Sequence, residues 1–583
     1  MPIPTRPFAF DESAGLEEWE VHEILDKDAQ SPQKFKNWVG NVAFEPSVVL
    51  LVRSVEGARR VVRWAKRCGK KLRVAGYRHT WSDLWNGSGD VIMTFVHPDA
   101  RETLPYYDPP SSWRTEFSSV SLVPNVANRT PEPGHAFARV LAGTSNNTFR
   151  EWSAGSGFGL PFNIVVTEVT FGGSVSTICH GAGMGTPTIS DLVEEVQYID
   201  SNGDDQVVND PEELRCAAGA FGFLGVITSV VLRVEPATVA EIRPTQVPLV
   251  LAIPPPEGFP LPEIVAKQVK EAGITQADMD AARKEFVRRA EEDHFHEFFW
   301  YPYQKNAWLN TWKRRPLTDA DKDLPTYPQF GIAEGDFASQ GAAAALADNI
   351  AKIDSLPGRL QTYAFGLASL AGLPNIRPGT KPMTTRTSEA VHFRGGSQTF
   401  PFYGMEWELP VPPSETGEKR DYTMIQRAWW DAITLIYASP NAPLRAALEM
   451  RLTNGSSVLL APQRGNQTSD LGTASLEVFT LLTAPAEEWQ EFRQKIIDHW
   501  TAYAYELEGI EGRKARPHWN KQFADLRVRG KPMKEYLRED AYTEAFAKFR
   551  EALESIHSRR GTSVMEARER FSSRLMESYI WDD

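Results

Sequence analysis

Cysteine is scarce in this chain: Cys68, Cys179 and Cys216 are the only ones among 583 residues. Their spacing matches neither a disulfide framework nor a zinc site, so stability must come from packing and no metal is expected. Long basic runs are missing too. A net charge of -13 leaves no electrostatic footprint for a phosphate backbone, and nucleic acid is not an expected partner. No stretch of about 18 uncharged apolar residues occurs. The N-terminal MPIPTRPFAFDESAGLEEWE lacks a basic segment followed by an apolar one. Stable membrane insertion is therefore not expected, and a cytoplasmic location is. Without a secretion signal, Asn-x-Ser/Thr triplets such as those at Asn86 and Asn128 carry little weight.

Nucleotide fingerprints are absent as well. Gly181-Ala182-Gly183 begins like a nicotinamide-binding motif, but Thr186 stands where the third glycine is needed and no acidic residue follows a second strand at the right distance. There is no Walker A sequence and no repeat of fixed period.

Apolar material is plentiful. Hydrophobic residues make up 42% of the chain, with 17 Trp, 16 Tyr and 30 Phe. A chain this long exceeds what one core serves, so two or three packed units are expected. Residues 48–52 are apolar and β-branched, 57–70 carry apolar residues at helical spacing, and 72–75 form a second short strand that ends in Gly76. Residues 98–135, rich in Pro, Ser and Asn, suggest an insertion or extended loop. Asp200-Ser201-Asn202-Gly203-Asp204 predicts a hairpin turn, because Asn and Gly tolerate positive φ. A Pro-rich passage over 244–262 suggests a domain boundary. Beyond it, 266–293 is helical in pattern, 295–312 is dense in aromatics, and 342–353 is Ala-rich and helical. Strand-like runs follow at 405–411, 448–453 and 475–482.

Two stretches carry chemistry. In Arg73-Val74-Ala75-Gly76-Tyr77-Arg78-His79-Thr80, a strand turning at glycine aligns successive backbone N–H groups into an anion-binding nest suited to a pyrophosphate, with His79 at its lip. The plainer alternative is a hydrogen-bonded turn histidine. The second stretch, Thr170 through Gly185, holds Gly172, Gly173, Gly181, Gly183 and Gly185 among small hydroxyl side chains, a bed that lets backbone approach a large flat ligand.

Together, R-x-x-G-x-x-H-T, then G-G-S-x-S-T-x-x-H-G-x-G, then Gly225-Val226-Ile227-Thr228 after Gly219-Ala220-Phe221-Gly222 resemble the FAD-binding half of the vanillyl-alcohol-oxidase family over about residues 37–236. The resemblance implies an α+β fold class. A PCMH-type two-subdomain FAD-binding domain would span 1–240. A substrate or cap domain, on a mixed or antiparallel sheet with flanking helices, would span 241–512. A C-terminal segment, 513–583, would return to the FAD domain and the active site. It implies further that Gly76, Tyr77, Arg78, His79 and Thr80 cradle the pyrophosphate, that Thr170, Gly173, Thr177, Cys179, His180 and Gly181 line the isoalloxazine and ribityl chain, and that Ile227 contacts the adenine side. Relatives with histidine at the position of His79 join it to the flavin 8α-methyl carbon, so covalent FAD is expected. A second, cysteinyl bond is not expected, since Val165, Val166 and Thr167 occupy the relevant neighbourhood and Cys179 lies beyond it.

The second half resembles the aldonolactone oxidase branch, which includes sugar-lactone, alditol and flavin-linked cholesterol oxidases. The residues concerned are Tyr403-Gly404-Met405-Glu406-Trp407-Glu408, Leu448-Glu449-Met450-Arg451 and His518-Trp519-Asn520-Lys521, the last with Asn520 where Gly is more usual. Glu449 and Arg451, two apart on a strand, project from one face. In isolation such a pair is ordinarily a structural salt bridge. In relatives these positions face the flavin N5 and the substrate. Arg451 and Lys521 would then supply positive charge, and Glu449 a base or orienting group weakened by the arginine beside it. The run 474–480 lacks the histidine of alditol oxidases. The aromatic stretch 299–312 resembles that of the cholesterol oxidases and would favour a bulky, partly apolar alcohol, sterol-like or aromatic; alternatively its rings pack inside a sheet. The activity implied is oxidation of a CH–OH group of a small molecule with molecular oxygen as acceptor, yielding hydrogen peroxide. A sugar-lactone or polyol oxidase, a dehydrogenase using another acceptor, and a non-enzymatic flavin carrier are the alternatives.

Overall fold

In the sequence, Ser54 follows an apolar strand and precedes Glu56, the pattern that starts a helix. The computed structural model describes residues 3–10, 20–27, 30–85, 87–102, 115–324, 336–376, 379–391, 400–414, 419–464, 472–506 and 514–581. A five-stranded sheet runs β1 (Thr5–Pro7), β2 (Val21–Ile24), β3 (Val48–Val52), β5 (Val91–Thr94), β4 (Leu72–Val74), with β3 and β4 both parallel to β5. Helix α1 (Val55–Arg67) crosses from β3 to β4. The Ser54 hydroxyl accepts from the Gly57 N–H, Glu56 sits in the first turn, and Lys66 and Arg67 close the last, which suits the helix dipole.

A second sheet holds β6 (Val120–Val123), β7 (Ala136–Leu141), β8 (Val193–Ile199), β9 (Asp205–Val208) and β10 (Val226–Pro236), in the antiparallel order β9-β8-β10-β7-β6; a short strand at Phe158–Gly159 also pairs with β10. The expected hairpin joins β8 to β9, with Ile199 opposite Asp205 and Gly203 at φ +81°. Residues 120–123, read from composition as loop, instead form the edge strand β6, held by main-chain pairing with β7 that composition does not register. Asn86 and the middle of that stretch, 103–114, lie outside the described residues.

One residue after β10 the chain enters a nine-stranded sheet. In chain order its strands are β11 (Thr238–Ile242), β12 (Thr245–Pro248), β13 (Phe295–Trp300), β14 (Asn306–Pro316), β15 (Met383–Arg386), β16 (Phe402–Val411), β17 (Leu448–Thr453), β18 (Gly472–Leu481) and β19 (Arg516–Pro517). They pair antiparallel in the order β15-β11-β14-β13-β17-β18-β16-β19, and β12 also pairs with β14. The Pro-rich passage thus contains β12 and a short helix, Leu249–Ala252. The helical pattern over 266–293 resolves into two helices, Glu263–Glu271 and Gln276–Glu292, parted at Gly273, whose φ of +67° continues no right-handed helix.

On one face of this sheet Leu448, Met450 and Leu452 join Trp407, Leu409, Leu476 and Val478 in a core shared with Trp429, Trp430 and Ile433 of the helix Thr423–Ala438. Alternation sends Glu449 and Arg451 to the opposite face. The C-terminal segment returns to the first sheet: Lys71 Nζ donates to Ser572 Oγ at 2.8 Å, and Arg73 Nη1 donates to the carbonyls of Phe221 (2.7 Å) and Phe571 (2.8 Å).

Candidate functional site

The two glycine-rich stretches meet. The turn after β4 and the short helix α2 (Phe171–Ser176) with the loop behind it wall one cavity, with about 1540 Å³ of empty space including its mouth. Gly76, Tyr77, Arg78, His79, Thr80, Thr170, Gly173, Thr177, Cys179, His180 and Ile227 all line it, as do Arg451 and Lys521. Gly181 and Glu449 do not. A Cβ at Gly181 would lie 2.6 Å from Phe162 Cδ2, so this glycine serves close packing against that ring.

Backbone geometry supports a large ligand in contact with main chain. Arg78 at φ 67° and Ile178 at φ 58° are held left-handed, one in each loop, a conformation that persists only where the surroundings enforce it. A Cβ at Gly76 would lie 2.7 Å from Thr170 Oγ1, and one at Gly172 would lie 2.9 Å from Ala142 Cβ, so bare glycine lets the two walls close. The Arg78 guanidinium lies 4.6 Å over the Phe35 ring. His79 stands between these walls, 4.7 Å from the Trp38 ring, and its buried Nε2 has no hydrogen-bond partner. Burial, then the nearby Lys521 charge, pushes its imidazole down to about 3, so it is neutral at ordinary pH.

Asn520 clamps the loops together. Its Nδ2 donates to Thr177 Oγ1 at 2.8 Å and Cys179 Sγ at 3.6 Å, its Oδ1 accepts from Thr80 Oγ1 at 3.2 Å, and its carbonyl accepts from the Trp81 N–H at 2.8 Å. A glycine there could keep only the last of these. Lys521, next in the chain, sits with Nζ 4.3 Å over the Trp81 ring, ion-paired to Glu477 and 3.8 Å from Glu406.

Arg451 is ringed by carboxylates: Glu406 at 2.8 Å, Glu449 at 2.9 Å and Glu477 at 3.1 Å. His180 Nε2 lies 3.2 Å from Glu406 and 3.4 Å from Glu408, while its Nδ1 faces the Gly181 carbonyl at 2.9 Å. Burial opposes charge on His180, but Glu408 and Glu406 outweigh it and raise its pKa. Burial, opposed by Glu406, pushes His518 down to about 3, and its Nδ1 accepts from the Asn520 N–H at 3.2 Å. Polar atoms of His180, Glu406 and His518 come within 4.8 Å of one another. Each already has a partner in this network: His180 and Glu406 pair with each other, and His518 accepts from the Asn520 N–H. Glu406, Glu408, Glu477 and His518 were not singled out from sequence. The first two stand two apart on β16, and the alternation that marked Glu449 and Arg451 marks them equally.

The aromatic stretch does not line the cavity. Trp300, Trp308 and Trp312 are buried, Trp308 Nε1 donates to the Pro374 carbonyl at 2.8 Å, and Phe295 stacks on Trp312 with centroids 4.9 Å apart. These rings pack on the sheet, the second of the two readings open from sequence.

The fold resembles that of two-subdomain FAD-binding proteins. More narrowly, the fold is that of the PCMH-type, or vanillyl-alcohol-oxidase, family. A cholesterol oxidase from B. sterolicum superimposes with a TM-score of 0.63 at 16% identity over 100% of both chains, and a solvent-stable cholesterol oxidase with 0.62 at 17% over 94% of this chain and 97% of the other. A 6-hydroxy-D-nicotine oxidase from Arthrobacter nicotinovorans gives 0.51 at 13% over 90% and 92%. In sequence, a D-arabinono-1,4-lactone oxidase of Candida albicans is 26% identical over 204 residues, 34% of each chain. The Saccharomyces cerevisiae protein of that name is 22% identical over 306 residues, 52% of this chain and 47% of its own length. The matched region thus spans between about a third and a half of these relatives. No protein-family model matches the chain. No helix among the described residues is long and apolar enough to cross a membrane.

Proposed function

We propose that this protein is an FAD-dependent oxidase that removes hydride from a CH–OH carbon of a small molecule, with molecular oxygen as acceptor and hydrogen peroxide and a carbonyl compound as products. The observation that carries the reading is that one cavity joins the glycine loops and an unpartnered, neutral histidine to Arg451 and Lys521. FAD, when bound, supplies the hydride acceptor. Gly76, Tyr77, Arg78 and Thr80 hold its pyrophosphate, Thr170, Gly173, Thr177, Cys179 and His180 the flavin and ribityl portion, and Ile227 the adenine side. The division into 1–240, 241–512 and 513–583 goes with this reading.

His79 is joined covalently to the flavin 8α-methyl carbon. In support, its imidazole keeps a free lone pair, which bonding to carbon requires. Acid precipitation tests this: a yellow pellet is expected, with the mass of FAD on the peptide containing His79, and a colourless pellet from flavin-loaded protein refutes the linkage.

Arg451 and Lys521 present fixed positive charge that would stabilise the negative charge developing where the hydride is accepted, at no cost in reorganisation because the carboxylates around them set their positions. Glu449, behind Arg451 rather than on the cavity wall, orients that guanidinium.

For the substrate, the polar lining at the reactive end, with Glu406, Arg451, His518, Asn520 and Lys521, favours a hydroxyl-rich molecule of the sugar-lactone class, which the names of the sequence relatives also suggest. A bulky, partly apolar alcohol is the second reading. It rests on the half-buried rings of Phe299 and Tyr301 and the packed cluster of Phe402 and Phe479 beside the acidic face. A peroxide-coupled screen of sugar lactones, alditols, aromatic alcohols and sterols decides between them. Reoxidation of the reduced protein in air within seconds is expected; reoxidation over minutes would replace the oxidase with a dehydrogenase using a dye, quinone or protein acceptor.

A further inference from the structure

Five carboxyls crowd one face of the nine-stranded sheet: Glu297 on β13, Glu449 on β17, Glu477 on β18, and Glu406 and Glu408 on β16, all buried. Register sets them side by side, with Glu449 opposite Glu477 and Glu477 opposite Glu406. Among the described residues, the charges facing them are Arg451, Lys521, His180 and His518. Arg516 lies opposite Glu408 in register but donates instead to the Ala541 carbonyl, at 2.9 Å, and to the Arg464 carbonyl. Full ionisation would set five negative charges against Arg451 and Lys521, leaving three uncompensated, or two with His180 protonated. Buried net charge of that size is not sustained; carboxyls hold protons instead.

We propose that this row is a proton store: about two of its five carboxyls are un-ionised in the resting protein, and Glu406, which alone of them meets the cavity, is where the proton of a substrate hydroxyl enters it. The inference rests, for its substrate step, on the oxidase reading above. In that step the carbinol C–H bond breaks with its electron pair leaving as hydride to the acceptor. The O–H bond breaks too, its pair closing the C=O bond, and the proton bonds to a Glu406 carboxylate oxygen. The substrate loses two electrons, the acceptor gains them, and the proton stays in the protein.

The contacts supply a path onward. Glu406 and Glu408 lie on either side of His180 Nε2, at 3.2 and 3.4 Å, and Ser475 Oγ donates to Glu408 at 2.5 Å. The ordering of proton affinities agrees. Burial tends to raise Glu406, but Arg451 and His180 outweigh it and hold it well below the usual range, so it is ionised and open to a proton. Burial pushes Glu408 and Glu449 up to about 7 and Glu477 up to about 8, so whichever of them is ionised in the resting protein holds an arriving proton better than Glu406 does.

Infrared difference spectroscopy of the full chain at neutral pH tests this without reference to turnover. Carbonyl bands of un-ionised carboxylic acid are expected, shifting in heavy water, bleaching as pH is raised, and losing intensity in Glu408→Gln and in Glu477→Gln. Wild type without such bands overturns the store. A second readout is thermal stability. A carboxyl raised from 4.5 to about 7 on folding keeps its proton while the unfolded chain gives it up, so wild type loses stability as pH rises across that interval. The melting temperature of Glu408→Gln minus that of wild type should therefore rise across the same interval; a constant difference counts against the proposal. Finally, anaerobic reduction of the loaded protein by substrate should release well under one proton per flavin to an indicator dye; one full proton overturns the entry step. Protein with the bands but no affinity for flavin would sink the oxidase reading and leave the store, whereas flavin-loaded protein without the bands would sink the store alone.

Discussion

At the scale of single residues, the site is built from side chains whose neighbours remove their alternatives. His79 is kept neutral, and its Nε2 has no hydrogen-bond partner. We expect His79→Ala to bind FAD without retaining it through acid precipitation, read by the colour of the supernatant. Arg451 illustrates the reverse case. It contacts three buried carboxyls at 3.1 Å or closer, and removing it leaves them crowded without the cation between them. Arg451→Ala is expected to cost roughly 3–5 kcal/mol of stability, measurable in denaturant, besides lowering kcat. Lys521→Met should leave the fold largely intact and lower kcat by about 10²–10³-fold, the effect of losing one preorganised charge, read in a peroxide-coupled assay. Asn520 supplies three side-chain hydrogen bonds between the loops. Asn520→Gly is expected to weaken flavin retention more than thermal stability, seen as faster flavin loss from the His79→Ala background.

Elements position these residues by two simple devices. Period-two alternation on β16, β17 and β18 sends tryptophan, leucine and methionine to the helix-covered core and glutamate and arginine to the cavity side. The pair Glu449 and Arg451 was legible in sequence for that reason. Glu406, Glu408 and Glu477 obey the same rule, yet their convergence depends on strand order, which brings β16 beside β18 although 60 and more residues separate them. The second device is glycine at close approach. A Cβ at Gly172 would meet Ala142 Cβ at 2.9 Å and the Ala142 carbonyl oxygen at 3.0 Å, both on a neighbouring backbone that cannot easily yield. Gly172→Ala is therefore expected to destabilise by about 1–3 kcal/mol, checked by thermal melting. The edge strand β6 escaped a composition-based reading because Ser, Pro and Asn around it signal turns, while its pairing with β7 is a tertiary fact. The aromatic run over β13 and β14 was legible as strand, but no local pattern tells a ring facing a cavity from one facing another ring.

On the scale of the whole molecule, the cavity wall draws on loops from residue 72 to residue 571, so it exists only when the first sheet, the second sheet, the nine-stranded sheet and the C-terminal segment are assembled. Flavin binding and global stability should accordingly be linked. Saturating FAD at about 100 times its dissociation constant is expected to add roughly 2.7 kcal/mol. A melting temperature unchanged by added FAD, in protein lacking bound flavin, would separate the cavity from the cofactor.

The chain by itself determined its local grammar: the strand, helix, strand unit ending at Gly76, the hairpin at Asn202-Gly203, the glycine bed from Gly172 to Gly185, and the shared face of Glu449 and Arg451. Each depends on backbone conformations and periodicities that neighbouring residues dictate. Only the tertiary structure decided which of these features meet: that His79 and Lys521 open on one cavity, that Glu449 lies behind Arg451, that Asn520 ties two loops together, and that five carboxyls share one buried face. The physical reason is that burial and pairing of charge are properties of space, set by strand order and loop closure across hundreds of residues, and no stretch of sequence contains them.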